Sequence, residues 1–330
     1  YFEEERADFD SVRELRIEDF FRRKPVISDF KKIREFFSGK IILVTGAAGS
    51  IGSEICRQLL YLNIPKLIVL DNRETALYEL GLSLEEKNPE KIISVLADIR
   101  DKEKIRKVLQ EYHPSIIFHA AAYKHVPMTE IHPDEAVKTN VFGAKNLVDL
   151  ADELNVSTFV MISTDKSVNP QCTLGLTKNI GEIIAKVKSK ESKTSFITVR
   201  FGNVLNSDGS IIPLFEKQIE RGGPITLTHP EAKRFFMTIP EASQLVIQSI
   251  LFGKSGDIFI LDMGEQYKIL KLAEDMIEIK GLEPYKDIEI KLIGLRKGDK
   301  IEDELLNSSE IKKITENERI FLIQNNGFSD

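Results

Sequence analysis

The chain has 330 residues, of which 42% are hydrophobic and 30% are charged, and its formal net charge is −6. This length suffices for one large domain or two smaller ones with an apolar core. The acidic balance excludes a general electrostatic attraction to nucleic acid, so we expect no nucleic-acid partner. The longest apolar runs have the length of strands, well short of the ~20 residues that a membrane-spanning helix needs. Two cysteines, Cys56 and Cys172, give no disulfide framework and indicate a reducing compartment.

The most informative local pattern lies at residues 40–52, where an apolar run passes directly into a turn with three glycines. Gly46, Gly49 and Gly52 have the spacing G-x-x-G-x-x-G. Gly46 suits a tight turn, Gly49 permits close approach of the backbone to a pyrophosphate, and Gly52 permits close packing of the following helix. Free N–H groups at the start of that helix favour phosphate. The sequence therefore predicts a dinucleotide-binding turn, and a glycine turn without ligand is the alternative. The other turn residues expected at the cofactor are Ala48, Ser50 and Ile51.

An acidic residue stands where the adenosine ribose of a dinucleotide is expected. Asp71 ends the second apolar run, nineteen positions past Gly52, and a carboxylate there accepts hydrogen bonds from ribose hydroxyls. Because a carboxylate repels a ribose phosphate, we expect NAD rather than NADP as the cofactor. The nearby Arg73, another expected cofactor contact, is the argument for NADP.

Apolar runs of strand length alternate with segments of helical period. The runs are residues 41–44, 67–70, 92–96, 116–118, 159–162 and 196–199. This alternation predicts an α/β fold with a Rossmann-like, doubly wound parallel sheet. Residues after the third and fourth strands of such a sheet lie beside the cofactor. The contacts expected there are Asp98, Ile99, Ala120, Ala121 and Ala122.

The pattern divides the chain into three parts. Residues 1–38 are charge-rich and are predicted to form an arm that packs on its own domain or on a neighbour, with a solvated linker as the alternative. Residues 39–205 are predicted to form the NAD-binding domain, to which residues 238–262 return. Residues 206–237 and 263–330 are predicted to form a smaller, interleaved α/β lobe that binds the substrate.

Groups with chemical function are concentrated after the fifth strand, where ligands bind in sheets of this class. Thr164, Asp165 and Lys166 offer a hydroxyl, a carboxyl and an amine beside the expected nicotinamide. Lys178 lies on the next predicted helix, which passes the nicotinamide ribose in this fold class. The alternative is that Asp165 and Lys166 form a solvated ion pair of little energetic value. No group of residues has the spacing of metal ligands.

These motifs resemble the extended short-chain dehydrogenases/reductases, and more narrowly the family of UDP-N-acetylglucosamine 4,6-dehydratases of polysaccharide biosynthesis. The resemblance covers roughly residues 13–325. Beyond the glycine turn and residues 163–166, the stretches that carry it are residues 119–127, 200–205, 222–230, 234–241 and 294–300.

The resemblance implies a reaction in which NAD takes hydride from carbon 4 of the sugar and returns it to carbon 6 after water is lost. Thr164 is implied to hold the carbon 4 oxygen, Asp165 to be the acid and Lys166 the base. Lysine acts as a base only when neutral, and we expect burial and positive charge from Lys178 and the oxidised nicotinamide to favour that form. One departure is Leu174, which occupies the usual position of a catalytic tyrosine, so Asp165 or a water bound by Lys178 must take the first proton.

The resemblance also implies the nucleotide-sugar contacts. Asn203, Arg234 and Arg296 are expected at the diphosphate, because arginine binds phosphate through two hydrogen bonds. The other expected contacts are Asp299 at the uridine ribose, Thr226 at the uracil edge, and Lys124 and His125 toward the sugar. The implied substrate is a UDP-N-acetylhexosamine.

We expect a homo-oligomer. The resemblance further implies a location on the cytoplasmic side of the inner membrane of a bacterium. The full-length parent is expected to be anchored in that membrane through a missing N-terminal region. Two other functions remain open from the sequence. A nucleotide-sugar 4-epimerase shares the hydride removal, and a dinucleotide-binding scaffold lacks turnover altogether.

Overall fold

The computed structural model describes residues 29–86 and 88–325. The arm motif predicted within residues 1–28 therefore lies outside the described residues. Its continuation, helix α1 (Phe30–Phe37), packs on the main domain: Phe37 is fully buried and stacks on Phe118 with 6.3 Å between ring centroids. None of the helices in the described part of the chain combines the length and apolar character needed to cross a bilayer.

The described residues contain a nine-stranded central sheet and three two-stranded sheets. The strands are β1 (Ile41–Thr45), β2 (Lys66–Asp71), β3 (Ile92–Leu96), β4 (Ile116–His119), β5 (Thr158–Ile162), β6 (Ser195–Arg200), β7 (Asn203–Val204), β8 (Ile225–Leu227), β9 (Lys233–Arg234), β10 (Phe236–Met237), β11 (Ile258–Leu261), β12 (Tyr267–Lys268), β13 (Ile290–Leu292), β14 (Glu310–Ile314) and β15 (Ile320–Asn325). The further helices are α2 (Ser50–Leu59), α3 (Glu74–Glu85), α4 (Lys102–Tyr112), α5 (Val126–Ile131), α6 (Pro133–Ala136), α7 (Ala144–Glu153), α8 (Thr173–Ser189), α9 (Ile211–Glu220), α10 (Ile239–Ser249) and α11 (Ile269–Ile279). A π-helical turn (Val137–Gly143) precedes α7, and a 3₁₀ turn (Asp165–Ser167) follows β5.

The central sheet confirms the predicted fold class. Its order is β14-β15-β11-β6-β5-β4-β1-β2-β3, and the strands from β11 to β3 run parallel. All six predicted strands are present in it. Their near-continuous apolar runs suit strands that are covered on both faces. Helices α1, α2, α3 and α10 pack on one face and α4, α7 and α8 on the other, each over its own apolar cluster.

A third apolar cluster lies in the region predicted to bind substrate. It joins α9 and α11, with Phe215 and Leu272 fully buried in it. The short pairs β8–β13 and β9–β12 belong to the same region.

The C-terminal segment differs from the prediction, which placed all of residues 263–330 in the substrate lobe. Strands β14 and β15 extend the central sheet instead, with β15 antiparallel to β11. Ile320 and Leu322 pack on the main core. This pairing satisfies the edge of β11 and buries apolar side chains that would otherwise face water.

Candidate active site

The glycine turn after β1 is built around two close backbone approaches. Gly46 has φ +65°, and a Cβ there would lie 2.5 Å from the nitrogen of Ala121. A Cβ at Gly52 would lie 2.2 Å from the carbonyl oxygen of Gly46. Side chains at either position would therefore collide with main chain, so the turn requires glycine at both.

The start of α2 is open for an anion. The helix begins after Gly49, and no side chain of the described residues caps it. Unpaired N–H groups at a helix N-terminus together with a glycine cradle form the usual phosphate site of dinucleotide-binding folds. The residues present thus fit the pyrophosphate of a nicotinamide dinucleotide.

Asp71 has a structural role that the sequence analysis did not anticipate. Its carboxylate accepts hydrogen bonds from the main-chain nitrogens of Ala48 and Arg73, each at 3.0 Å. It is 5% exposed and stands at the end of β2. Each carboxylate oxygen retains a second lone pair, so contact with a ribose stays compatible with these bonds. The side chain of Arg73 is half-exposed, with Nε 3.5 Å from Asp71.

The residues after β3 and β4 lie at the same edge of the sheet. Asp98 pairs with Arg100, and Ile99 is buried against Gly143, where a Cβ would lie 2.6 Å from the Ile99 side chain. Ala120, Ala121 and Ala122 follow β4. These five predicted cofactor contacts therefore surround the carboxyl ends of β1 and its neighbours.

His119 ends β4 in a fully buried position. Its Nδ1 lies 2.8 Å from the hydroxyl of Thr45. Burial, assisted by the charge of Lys178, lowers the pKa of His119 to about 3. The imidazole is therefore neutral at physiological pH.

Thr164, Asp165 and Lys166 form a compact turn at the end of β5. The Thr164 hydroxyl donates to Asp165 Oδ1 at 3.0 Å and accepts from the Lys166 nitrogen at 3.4 Å. The Lys166 ammonium donates to Asp165 Oδ1 at 3.1 Å. Asp165 is fully buried, and its Oδ2 has no hydrogen-bond partner among the described residues. The alternative of a solvated ion pair is therefore wrong, because water does not reach the carboxylate.

Two further groups hold the Lys166 ammonium. It donates to Asn203 Oδ1 at 3.3 Å and to Asp303 Oδ2 at 3.0 Å. Asn203 is one of the predicted substrate contacts. The sequence analysis missed Asp303, because nothing local in the acidic stretch of residues 302–304 distinguishes it from its exposed neighbours.

The electrostatics of the pair only partly match the expectation. Burial raises the pKa of Asp165 above its ordinary range, against the opposing charge of Lys166. Burial also lowers the pKa of Lys166, but the carboxylates of Asp165 and Asp303 outweigh this effect and raise the pKa above its ordinary value. The expectation that surrounding positive charge keeps Lys166 neutral is therefore wrong for this state, in which Lys166 is cationic.

Lys178 reaches the end of β5 from α8. It is buried, and its ammonium donates to the carbonyl oxygen of Ile162 at 2.5 Å. Burial lowers the pKa of Lys178 to about 8, with Glu182 opposing the shift. Leu174 lies one turn earlier on α8 and is 5% exposed. It contributes an apolar wall where a tyrosine would supply a hydroxyl.

The two arginines predicted at the diphosphate differ in how many of their hydrogen-bond donors already have partners within the protein. Arg234 donates to the carbonyl oxygens of Lys233, Lys300 and Ile301, and its Nε lies 3.2 Å from Asp303. Most of its donors are thus taken by the C-terminal loop. The Nε and main-chain nitrogen of Arg296 both bind Asp299 at 3.1 Å, and the Arg296 side chain remains 54% exposed.

Of the remaining predicted substrate contacts, Thr226 is bonded within the protein, whereas Lys124 and His125 lie at the surface. Both the hydroxyl and the main-chain nitrogen of Thr226 bind Gln218. Lys124 and His125 are exposed, and the His125 ring packs against Gly209, where a Cβ would lie 2.5 Å from its Cε1.

The loop of residues 206–210 lies across the glycine turn. Its Asp208 nitrogen donates to the hydroxyl of Ser50 at 3.1 Å. Together with the packing of Gly209 on His125, this contact brings the loop over the expected cofactor groove. The sequence analysis assigned this segment to the substrate lobe and did not predict the contact.

A small cavity lies beside Lys166 at the junction of these elements. Its lining consists of Val126, Lys166, Cys172, Arg234, Gly298, Asp299, Lys300 and Asp303. Five of these side chains are acidic or basic, which suits a polar ligand rather than an apolar one. Within residues 29–86 and 88–325, no cluster of three or more histidine, cysteine or acidic side chains is placed to hold a metal ion.

The parallel sheet, the glycine turn and the Thr164–Lys166 turn define an extended short-chain dehydrogenase/reductase fold. The chain belongs to the family of polysaccharide biosynthesis proteins, which it matches over residues 42–325.

Three relatives illustrate the family. The capsular polysaccharide biosynthesis protein CapD of Staphylococcus aureus is 46% identical over 317 residues, which are 95% of this chain and 53% of CapD. The probable polysaccharide biosynthesis protein EpsC of Bacillus subtilis (strain 168) is 45% identical over 91% of this chain and 50% of EpsC. The chain thus spans about half the length of these two relatives. A UDP-glucose 4-epimerase of Rickettsia bellii is 33% identical over 84% of this chain and 80% of the epimerase.

Two solved structures resemble the chain. Pen from Bacillus thuringiensis is 33% identical, with a TM-score of 0.81 over 88% of this chain and 89% of Pen. The dTDP-glucose 4,6-dehydratase DesIV from Streptomyces venezuelae, solved with NAD and TYD bound, has a TM-score of 0.72 at 22% identity. That likeness covers 81% of this chain and 88% of DesIV, and it supports the fold.

Proposed function

We propose that this chain is the catalytic domain of a nucleotide-sugar 4,6-dehydratase that converts UDP-N-acetylglucosamine to a UDP-2-acetamido-2,6-dideoxy-4-hexulose for surface polysaccharide or glycan synthesis. The observation that carries this proposal is the buried pair of Asp165 and Lys166, whose oxygen and nitrogen lie 3.1 Å apart at the end of β5. An elimination needs an acid and a base on one substrate, and this pair offers both. The family supports a role in polysaccharide synthesis.

The proposed cofactor is NAD, held tightly through the reaction. The glycine cradle and the open start of α2 fit its pyrophosphate, and Asp71 at the end of β2 is the proposed partner of the adenosine ribose. When bound, the nicotinamide supplies the hydride chemistry, accepting hydride from carbon 4 and returning it to carbon 6. DesIV, a dehydratase of the same fold, was solved with NAD bound.

A proton shared between Asp165 and Lys166 accounts for the acid role of Asp165 and the base role of Lys166. Transfer of one proton from the Lys166 ammonium to the Asp165 carboxylate leaves a neutral amine and a neutral carboxylic acid, without change of total charge. The raised pKa of Asp165 helps it to accept the proton, whereas the raised pKa of Lys166 opposes the transfer, so the neutral pair is the minor form that reacts. The unpartnered Oδ2 is the oxygen that would carry the proton. Asp165 then protonates the leaving hydroxyl at carbon 6 while Lys166 removes the proton at carbon 5.

The remaining proton comes from the carbon 4 hydroxyl. Thr164 holds that oxygen, and Leu174 has no group that accepts its proton. Since Asp165 must stay protonated for the departure at carbon 6, we assign acceptance of this proton to a water bound by Lys178, whose pKa of about 8 allows exchange with solvent. Solvent then restores the proton that Asp165 gives to the departing water, which closes the proton balance.

The substrate contacts proposed are Lys124, His125, Asn203, Thr226, Arg234, Arg296 and Asp299. Arg296 is the proposed diphosphate ligand with most free donors, because its side chain is more than half exposed. Arg234 reaches a phosphate only if it gives up contacts to residues 300–303.

Assembly and location are part of the same proposal. Leu176, Ile180, Ile183 and Val187 form an exposed apolar stripe along α8, each at least 41% exposed. Such a stripe suits burial against a second copy, so we propose a homo-oligomer. We also propose that the full-length parent is anchored in the inner membrane with this domain on its cytoplasmic side.

Incubation with UDP-N-acetylglucosamine followed by mass spectrometry tests the proposed activity. A dehydratase gives a product lighter by one water molecule. The second candidate, a 4-epimerase, is favoured by the Rickettsia bellii relative and leaves the mass unchanged with a new configuration at carbon 4. A scaffold leaves the sugar unchanged in every respect.

A further inference from the structure

Asp303 is a buried acid that the proposed mechanism has not used. It is 3% exposed and lies between β13 and β14, far from the catalytic turn in sequence. Its Oδ2 accepts from the Lys166 ammonium at 3.0 Å and lies 3.2 Å from Arg234 Nε. Its main-chain oxygen accepts from the side chain of Gln266 at 2.7 Å. Lys166 and Arg234 therefore hold the carboxylate, and Gln266 holds the main chain of the same residue.

The loop that carries Asp303 is fastened to the catalytic turn on both sides. The Lys300 ammonium donates to the carbonyl oxygen of Val168 at 3.1 Å. Asn169 donates to Glu304 at 3.1 Å. These contacts flank Asp303 in sequence and reach two residues that follow Lys166, so the loop has little freedom to carry the carboxylate away.

The charged and titratable groups that face Lys166 come from four elements. Asp165 belongs to its own turn, Asp303 to the C-terminal loop, Arg234 to β9, and the Cys172 thiol to the start of α8. Lys300 faces Asp303 from the loop itself. Without Asp303, a single carboxylate would face both Lys166 and Arg234. Asp303 thus balances an excess of positive charge in a buried space, where a lone charge is costly.

We propose that Asp303 is the positioning residue of this site, which holds the Lys166 ammonium against Asp165 and retains the proton that the pair shares. This inference rests on the proposed dehydration. Asp303 raises the pKa of both Asp165 and Lys166 by its negative charge. It therefore keeps Asp165 in its acid form to higher pH and sets the pH range in which one member is acid and the other base.

The pH profile of kcat/KM for dehydration tests this role in the protein with its dinucleotide bound. Asp303→Asn keeps the shape of the side chain and removes its negative charge. Loss of one neighbouring charge shifts a pKa by about 1–3 units, so we expect both limbs of the profile to move to lower pH by about 1 unit or more. Asp303→Glu restores the charge and should return the limbs toward wild type. A lower maximum with unmoved limbs would overturn the proposal, since that is the result of a purely structural role.

Glu302→Gln is the matched control. Glu302 is the neighbouring acid, is half-exposed and pairs with Lys233 at 2.7 Å rather than with Lys166. Its loss should leave both limbs in place. A shift as large as that of Asp303→Asn would show that net charge of the loop, and not the contact to Lys166, is responsible.

A second measurement does not depend on turnover. The rate at which an acylating reagent modifies Lys166 at fixed pH, compared with that of the exposed Lys313 and read by peptide mass spectrometry, reports the neutral fraction of the amine. We expect at least about a tenfold increase in Asp303→Asn for each unit of lowered pKa, and no increase in Asp303→Glu or Glu302→Gln. An unchanged rate in Asp303→Asn would overturn the role of Asp303. If the wild type does not dehydrate the sugar but the labelling rate rises as expected, the proposed function fails and the role of Asp303 stands.

Discussion

Glu182 and Arg200 form a buried ion pair with two parallel contacts beneath the turn of Thr164 to Lys166. Arg200 Nη2 lies 2.7 Å from Glu182 Oε2, and its Nε lies 3.0 Å from Oε1. The same carboxylate accepts from the hydroxyls of Ser163 and Ser167, which bracket the turn of Thr164 to Lys166. Arg200 also binds Glu310 of β14 at 2.8 Å. The hairpin of β14 and β15 is thus connected through charged groups to the turn after β5.

Substitution of Glu182 should destabilise the fold. Removing one partner of a buried ion pair leaves a charge without compensation, at a cost of about 3–5 kcal/mol. We expect Glu182→Gln to lower the free energy of unfolding by about 3 kcal/mol, the lower end of this range, because Glu310 still faces Arg200. The check is the free energy of unfolding in urea, with Glu191→Gln in the exposed turn after α8 as control. Equal midpoints for Glu182→Gln and wild type would contradict the account of this pair.

Alanine substitution at two glycines of the glycine turn should affect stability to different extents. Gly52→Ala places a Cβ 2.2 Å from a main-chain oxygen, whereas Gly49→Ala, at φ −78°, meets the same oxygen at 3.2 Å. We expect Gly52→Ala to lose at least the ~1–3 kcal/mol of an overpacked site. Gly49→Ala should fold nearly as wild type but bind NAD less tightly. Thermal unfolding with and without NAD measures both effects, and equal melting temperatures of the two unliganded variants would disprove this reading of the turn.

His119 should make stability depend on pH below neutrality. Its pKa is about 3 when folded, against an ordinary value of 6.5. The unfolded chain therefore binds a proton that the folded chain refuses, so the stability from neutral His119 is present above pH 6.5 and is lost as pH falls toward 3. Between pH 6.5 and 5 the loss is about 2 kcal/mol. Urea unfolding of wild type and His119→Asn at several pH values checks this, and identical slopes for the two proteins would count against a buried neutral imidazole.

The cofactor preference follows from Asp71. A ribose phosphate would approach a buried carboxylate that is already held by two main-chain N–H groups. We expect NAD to bind at least about tenfold more tightly than NADP, equivalent to about 1.4 kcal/mol of repulsion. Asp71→Asn should narrow this difference. Calorimetric titration of the cofactor-free protein measures it, and tighter binding of NADP would reverse the assignment.

The sequence predicted those features that depend on local pattern. The parallel strands are continuous apolar runs, and the glycine turn has a fixed spacing, so both could be recognised from neighbouring residues. Asp303, Glu310 and the contact between Asp208 and Ser50 join segments far apart in the chain, and no local pattern reports them. The charge of Lys166 was predicted wrongly for this reason. Its second carboxylate, 137 positions away, could be found only in the folded protein.

The proposed function depends on an elimination across carbons 5 and 6 by Lys166 and Asp165. Turnover of UDP-N-acetylglucosamine in heavy water, followed by mass spectrometry and NMR of the product, tests this elimination. Because Lys166 exchanges its protons with solvent before returning one to carbon 5, we expect a product that has lost one water molecule and carries deuterium at carbon 5. Lys166→Ala should instead accumulate reduced nicotinamide and lose dehydration by ~10²–10⁴-fold, the usual effect of removing a general base. A wild-type product without deuterium at carbon 5, or normal dehydration by Lys166→Ala, would contradict the account.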